Sequence, residues 1–406
     1  MITEKPELIA PSGDWSSLLS AVKAGADSVY FGVKDINMRQ SARNFDILEI
    51  KKIMDILHDS GKKGYLALNT IVYDNELGKV RKILEEAKKR KVDAVVLWDM
   101  AVLSIARELG LEIHLSTQAS VANFEALKFF ADQGVKRVVL ARECGLCAIR
   151  NITGRIRKEK IDCEIETFIH GALCVSISGR CFLSQHSFSK SANRGECYQP
   201  CRRGFVIKSE GAEEDCEYIL GHNYILSPKD LCTIGFIEEL IRSGIRAFKI
   251  EGRMRPPEYV SRVTSVYRTA IDAFFRGELT ADLKKQLSRK LEMSFNRGFE
   301  EGFYFEKPGE LGGIVSRGYE KVYLGEIKRF YKRIGVAEVE LTCGSLTTGQ
   351  KILITGKKTP AAFSEVSEME IDHKSVVSAG KGTSAGIKLP FAVSPGDKVF
   401  LWKEEK

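Results

Sequence analysis

A closed parallel (β/α)8 barrel of the TIM type, carrying a Cys-rich insertion and followed by a small antiparallel β-barrel domain, is the fold this 406-residue sequence predicts. Three observations carry that expectation. Short apolar runs alternate with amphipathic helical runs as far as residue 251, the pattern of successive βα units. One helix-to-strand junction recurs from Ala24, Lys91, Gln133 and Ser243, as in Ala-Gly-Ala-Asp-Ser-Val-Tyr-Phe and Ser-Gly-Ile-Arg-Ala-Phe-Lys-Ile. After Gly309 the texture changes to short β runs separated by Gly-rich turns. The barrel domain is therefore placed at 1–308, with the insertion at 172–232, and the second domain at 309–406. An open doubly wound sheet is the alternative; the Gly-rich phosphate fingerprint after the first strand is missing, which counts against its nucleotide-binding form.

The barrel strands are expected at 7–10, 28–32, 64–69, 94–98, 112–116, 137–141, 163–170 and 247–251, each a short apolar run. Helices are expected between them at 16–24, 47–60, 76–90, 101–109, 123–133, 145–158 and 236–243. Three of the four junction copies place Gly at the helix end, where it relieves a left-handed cap; the copy at Lys91 does without it. The second half of the insertion reads as a β-hairpin, 205–209 with 218–220. From 257 to 305 the period is helical. Short β runs follow at Val315, 322–327, 335–341, 351–354 and 398–401, with strand-entry turns at Gly349 and Gly396.

Composition narrows the class. An apolar fraction of 44% is that of an ordinary globular protein, and no run of 18 apolar residues predicts a membrane span. The first residues lack the features of a secretory signal, so a cytoplasmic setting is expected and the ten cysteines read as reduced thiols or metal ligands. A net charge of +8 permits contact with nucleic acid without requiring it.

The stretch 166–201 stands apart. An apolar run ends in His170-Gly171 and opens into a polar segment rich in Ser, Arg and Asn, carrying Cys174, Cys181, Cys197 and Cys201; Cys232 follows the next strand-like run. Thiols gathered in a polar, helix-poor segment serve metal or redox chemistry more often than packing. A barrel also gathers its active-site groups just after each strand. Those positions hold Gly13, Asn37, Arg39, Asn69, Asp99, Gln118, Arg142, Glu143, His170, Glu251 and Arg253.

The cysteine spacing is Cys174-x6-Cys181-x15-Cys197, with 34 residues between Cys197 and Cys232. It matches neither a zinc ribbon nor a bacterial ferredoxin, so an iron–sulfur cluster, zinc and unligated thiols all stay open, with Cys201 competing for the third position. The one true CxxC, Cys144 to Cys147, reads as two small residues packing under the barrel rim rather than a redox dithiol; Cys163, Cys216 and Cys343 read as incidental.

Glu-Thr-Phe-Ile-His-Gly-Ala-Leu-Cys-Val-Ser-Ile-Ser-Gly-Arg-Cys, from Glu166 to Cys181, resembles the signature of the peptidase U32 family, also labelled collagenase-like proteases. Supporting matches are Glu-Leu-Ile-Ala-Pro-Ser-Gly from Glu7, Leu-Ser-Thr-Gln-Ala-Ser-Val-Ala-Asn from Leu115, Phe-Lys-Ile-Glu-Gly-Arg-Met-Arg from Phe248 and Phe-Asn-Arg-Gly-Phe from Phe295. The resemblance implies a [4Fe–4S] cluster held by Cys174, Cys181, Cys197 and Cys232, and hydroxylation that uses prephenate as hydroxyl donor. It implies RNA as substrate, most closely through the branch that converts a tRNA wobble uridine to 5-hydroxyuridine. A cytidine of ribosomal RNA or a quinone-type small molecule is the substrate of other branches. A related U32 protein is a possible partner subunit.

On that reading Arg39, Arg142 and Arg253 clamp a carboxylate co-substrate, since Arg offers bidentate geometry to carboxylates. Glu166, His170 and Glu251 are candidates for moving protons. Asn69, Gln118, Glu143 and Lys249 complete the substrate-binding set, and Lys and Arg at 202–208 and 253–268 hold the RNA backbone. Lys249 with Glu251 also reads as an ion pair inside the barrel. The peptidase label finds no His-Glu-x-x-His and no Gly-x-Ser-x-Gly in the sequence. A His170–Cys174 dyad conflicts with Cys174 as a cluster ligand. A protease and a non-catalytic iron–sulfur scaffold subunit remain the competing classes.

Overall fold

The computed structural model describes residues 4–34, 36–203, 205–208, 217–220, 227–305 and 319–404. Strands and helices alternate as β1 (Glu7–Pro11), α1 (Trp15–Lys23), β2 (Ser28–Gly32), α2 (Ile50–Asp59), β3 (Lys63–Leu68), α3 (Leu77–Lys89) and β4 (Ala94–Leu97). They continue as α4 (Met100–Glu108), β5 (Ile113–Leu115), α5 (Phe124–Asp132), β6 (Arg137–Val139), α6 (Leu146–Glu159) and β7 (Glu164–Ala172). The insertion holds α7 (Leu183–Phe188), an antiparallel hairpin of β8 (Phe205–Lys208) and β9 (Glu217–Leu220), and β10 (Asp230–Cys232). After α8 (Ile237–Arg242) comes β11 (Ala247–Ile250), then α9 (Pro257–Arg276), α10 (Ala281–Glu292) and β12 (Phe299–Glu300).

Strands β1 to β7 pair in parallel, each with the next, and β11 closes the ring between β7 and β1. The expected barrel is therefore closed. Each helix buries one stripe: α3 buries Val80, Ile83, Leu84 and Ala87, the i, i+3, i+4, i+7 spacing of a single helical face. Side-chain caps fix the starts of α1 and α5, with Asp14 accepting from Ser17 N at 2.8 Å and Asn123 from Ala126 N at 2.9 Å. At the recurring junction Gly25 and Gly134 take φ of 90°, and Lys91 takes φ of 55° in the same role. The left-handed cap is thus kept without Gly, at the cost of a strained Cβ.

Two departures from the sequence reading are informative. The helical period predicted to 305 ends at Glu292. Asn296 Nδ2 donates to the carbonyls of Glu292 (3.1 Å) and Ser294 (2.8 Å), and these bonds replace a further helical turn. Strand β10 pairs antiparallel with the far end of β7, Cys232 opposite His170 and Leu231 opposite Gly171, and β12 adds to its other edge.

The floor of the barrel is sealed by charge. Arg137 at the start of β6 bonds Glu7 at 2.8 Å and Glu164 at 2.7 Å, while Lys249 bonds Glu166 at 2.6 Å inside the barrel. Tyr30, Tyr65, Val96 and Ile9 fill the space between the strands. With that end closed, the C-terminal face is left to hold a site.

The second domain is an antiparallel sheet curled around Leu324, Val339, Ile352, Ile387 and Val399. The β runs expected at 322–327, 335–341, 351–354 and 398–401 fall in strands Tyr319–Tyr331, Val336–Leu341, Lys351–Thr355 and Lys398–Glu404. Val315, Cys216 and the 308/309 boundary lie outside the described residues. The sheet docks on the barrel through Lys321 to Glu258 at 2.8 Å and Ala361 N to Ser20 Oγ at 2.9 Å, against α9 and α1.

Candidate active site

A pocket opens at the C-terminal face, and the insertion forms its roof. Gly171, near the end of β7, has a φ of 104°, and a Cβ there would stand 2.6 Å from Glu251 O. The roof is then tied across the mouth to loops after other strands. Gln40 N donates to Gly195 O at 3.0 Å, Ser120 Oγ meets Ser178 Oγ at 2.9 Å, and Arg194 pairs with Glu76. Gly195 also takes a positive φ, and a Cβ there would overlap Asn37 O.

Under the roof lies a cavity of about 120 Å³, on the scale of one that holds a single six-membered ring. Its lining carries Arg39, Arg142, Arg202, Lys249 and Arg253 against one carboxylate, Glu251. Arg39 Nη2 stands 3.1 Å from Glu251 Oε1 and Arg142 Nη2 3.5 Å from Oε2. Arg142 also lies over the Phe168 ring at 4.1 Å. Arg253 is buried, and its Nη1 has no hydrogen-bond partner among the described residues. A buried donor of that kind is costly unless something else accepts from it.

The charge balance fixes protonation. Burial pushes the Glu251 carboxyl up, but Arg39, Arg142 and Arg253 outweigh it and hold the group below the usual carboxylate range. Burial brings Arg253 down to about 10, so it stays charged at neutral pH. The neutral polar side of the pocket is pre-ordered. Asn69 Oδ1 accepts from Met38 N at 3.2 Å, and Asn69 Nδ2 reaches Gln118 Oε1 at 3.3 Å and Ser116 Oγ at 3.4 Å.

Arg39, Asn69, Gln118, Arg142, Lys249, Glu251 and Arg253 are thus brought together, as the sequence led us to expect. Glu143 is not: it lies exposed on the loop after β6, off the pocket lining. Glu166 sits below the pocket, wholly buried and paired with Lys249, which replaces the Lys249–Glu251 pair expected from the sequence. Asp99 caps α4, accepting from Ala101 N at 3.0 Å. His170 faces away from the pocket, its ring 5.5 Å from Tyr267 and 5.4 Å from Phe299. Burial, then Arg255, lowers its pKa to about 3, leaving it neutral.

Three of the four expected cysteine ligands, Cys174, Cys181 and Cys197, line the pocket, and Cys201 lines it with them. Burial raises the Cys201 thiol to about 11, and the other three thiols lie near enough to act on it electrostatically. Cys232 stands apart, on the His170 side of the β7–β10 pair, with Tyr267 Oη 3.9 Å from its Sγ. The lining thus gathers Cys174, Cys181, Cys197 and Cys201 at the mouth and leaves Cys232 outside it. Among the described residues no three His, Cys, Asp or Glu side chains are already drawn round one metal position. Sequence reasoning missed Tyr30, Phe168 and Arg202 as lining residues. Period-two alternation along β2 and β7 offered a signal for the first two, whereas nothing in Cys-Arg-Arg separates Arg202 from Arg203.

Comparison with known proteins bears on this arrangement. The family model described as peptidase family U32 matches residues 13–313. An uncharacterized protease of Methanocaldococcus jannaschii is 42% identical over 98% of both chains. A collagenase of Porphyromonas gingivalis is 41% identical, again over 98% of both. The tRNA hydroxylation protein P1 of Bacillus subtilis is 36% identical over 80% of this chain and 75% of its own.

Proposed function

The chain belongs to peptidase family U32, and we propose that within it the protein is an RNA hydroxylase, placing a hydroxyl on C5 of a tRNA wobble uridine with prephenate as donor. The observation that carries this reading is the charge of the pocket, where Arg39, Arg142, Arg202 and Arg253 face one carboxylate and Lys249 is already paired with Glu166 beneath them. Such a lining suits an anionic co-substrate rather than a neutral peptide. The relative named for tRNA hydroxylation supplies the substrate class.

Hydroxyl transfer from a donor R–OH to uridine C5–H, giving R–H and C5–OH, balances in atoms. It oxidises C5 by two electrons and reduces the donor carbon by two. Arg39, Arg142 and Arg253 would hold the donor carboxylates. Asn69 and Gln118 would meet the polar edge of the base. Glu251, ionised, would take the proton that leaves C5. Cys174, Cys181, Cys197 and Cys201 would hold a [4Fe–4S] cluster, which supplies one-electron chemistry when bound.

The names of the more identical relatives favour a peptidase. Among the described residues the pocket lining holds no histidine, and no serine or cysteine in it is hydrogen-bonded to a catalytic base. Nucleophilic proteolysis needs that pairing. The deciding experiment incubates anaerobically purified protein with prephenate and tRNA lacking the modification, followed by nucleoside mass spectrometry. A gain of one oxygen at the wobble uridine is expected. Cleavage of denatured collagen by protein that leaves every RNA unmodified would give the site to the peptidase.

A further inference from the structure

The outer surface of the roof carries apolar side chains that the described structure leaves uncovered. Ile177 is 64% exposed, Phe182 76% and Tyr198 51%. Each lies between two residues that line the pocket: Ser176 and Ser178, Cys181 and Leu183, Cys197 and Gln199. The three therefore stand on the outer side of the pocket-lining segments, a collar on the roof rather than on the barrel. Phe188 extends the ring, its centroid 5.7 Å from that of Tyr198, with the Arg203 guanidinium 4.6 Å above it. From Ala172 to Arg203 the roof bears Arg180, Lys190, Arg194, Arg202 and Arg203 against the single acid Glu196.

We propose that this collar is a stacking platform for single-stranded RNA, on which nucleotides flanking the target base lie while the target enters the pocket; this rests on the RNA reading above. Unpaired bases stack on aromatic faces whatever their sequence, and arginines beside those faces serve both ring and phosphate. An apolar collar alone would suit a protein partner equally well. Lys190 pairs with Glu196 and Arg194 with Glu76, which leaves Arg180 and Arg203 beside the rings as the charges that favour a polyanion. A base already unstacked in a loop reaches a roofed pocket at less cost than one drawn from a duplex.

The test is fluorescence anisotropy with a labelled uridine-rich single-stranded heptaribonucleotide, and with the same strand annealed to its complement, at two salt concentrations. The variants are Phe182→Ala with Tyr198→Ala, Phe182→Trp with Tyr198→Phe, and Arg203→Ala. All three positions lie outside the core, so core packing is kept. Loss of both aromatics is expected to weaken single-strand binding by about 10-fold per ring removed, with the salt dependence unchanged. The variant that keeps aromatics should bind as wild type, and Arg203→Ala should lower the salt slope by about one contact. Equal binding by the Ala variant and wild type would overturn the platform and leave RNA hydroxylation standing. So would equal binding of duplex and single strand by the wild type. Failure of the wild type to bind either this probe or intact tRNA would overturn both readings. Self-association in sedimentation that disappears with the Ala variant, while RNA binding is unaffected, would assign the collar to a second copy of this chain and overturn the proposal.

Discussion

Arg39 Nη2 lies 3.1 Å from Glu251 Oε1, so the loop after the second barrel strand and the loop after the eighth meet in one ion pair across the mouth. Arg142, after the sixth, reaches the other oxygen at 3.5 Å. Three segments far apart in sequence are pinned by one carboxylate, and a co-substrate anion would share the same guanidinium groups.

Glu251→Gln removes that charge. The folded-state pKa of Glu251 is lowered, so its contribution to stability is full above the ordinary carboxylate value of about 4.3 and is lost as pH falls through the folded value. The gap between wild type and variant in urea denaturation should be on the order of 1–3 kcal/mol at pH 7 and should close in acid. A gap independent of pH would mean that the carboxylate charge is not what stabilises the mouth.

His170 was one of three sequence candidates for proton transfer, and the structure packs it behind the strand as a neutral ring with a pKa of about 3. The unfolded chain protonates it below about 6.5, so stability is full above that pH and declines towards pH 3, by at most about 1.4 kcal/mol per pH unit. His170→Gln should flatten that slope and keep RNA hydroxylation at pH 8. A folded variant that has lost activity at pH 8 would return the ring to the catalytic machinery.

The two thiols Cys201 and Cys232 offer a clean discrimination. Anaerobically produced Cys201→Ser should carry no cluster, like Cys181→Ser, whereas Cys232→Ser should retain about four irons and four sulfides per chain. Iron and sulfide counts with an absorption spectrum read this out without reference to activity. The reverse pattern would require Cys232 to leave its Tyr267 contact when the cluster is bound.

Gly195→Ala tests the roof. Its φ of 92° and the closeness of Asn37 O leave no room for a Cβ, so the substitution should cost about 1–3 kcal/mol. Limited proteolysis should then cut the roof before the barrel. An unchanged melting temperature with unchanged cleavage would show that the roof is not held at this point.

The barrel was legible because its signals are local. Apolar strands, capped helices and a repeated junction need nothing beyond neighbouring residues, and even Lys91, which breaks the Gly pattern, keeps the left-handed geometry the junction demands. The polar positions after the strands were legible for a related reason: a closed barrel sends every strand end to one face. Six of them, Arg39, Asn69, Gln118, Arg142, Glu251 and Arg253, line the pocket accordingly. Glu143 and Asp99 share that position in sequence and face solvent or a helix end instead.

The sequence by itself determined the barrel, the curled second domain and the concentration of thiols and arginines at one mouth, since periodicity and position relative to strand ends are properties of the chain alone. Only the tertiary structure decided which side each group faces. On β7 the register against β11 shifts after Phe168, where Lys249 and Ile250 stand opposite Phe168 and His170. One extra residue in the strand turns His170 out of the barrel. The antiparallel pairing of β10 then carries Cys232 out beside it, and Cys201 is left among the pocket thiols. A bulge and a pairing partner are long-range facts, and no spacing between cysteines encodes them.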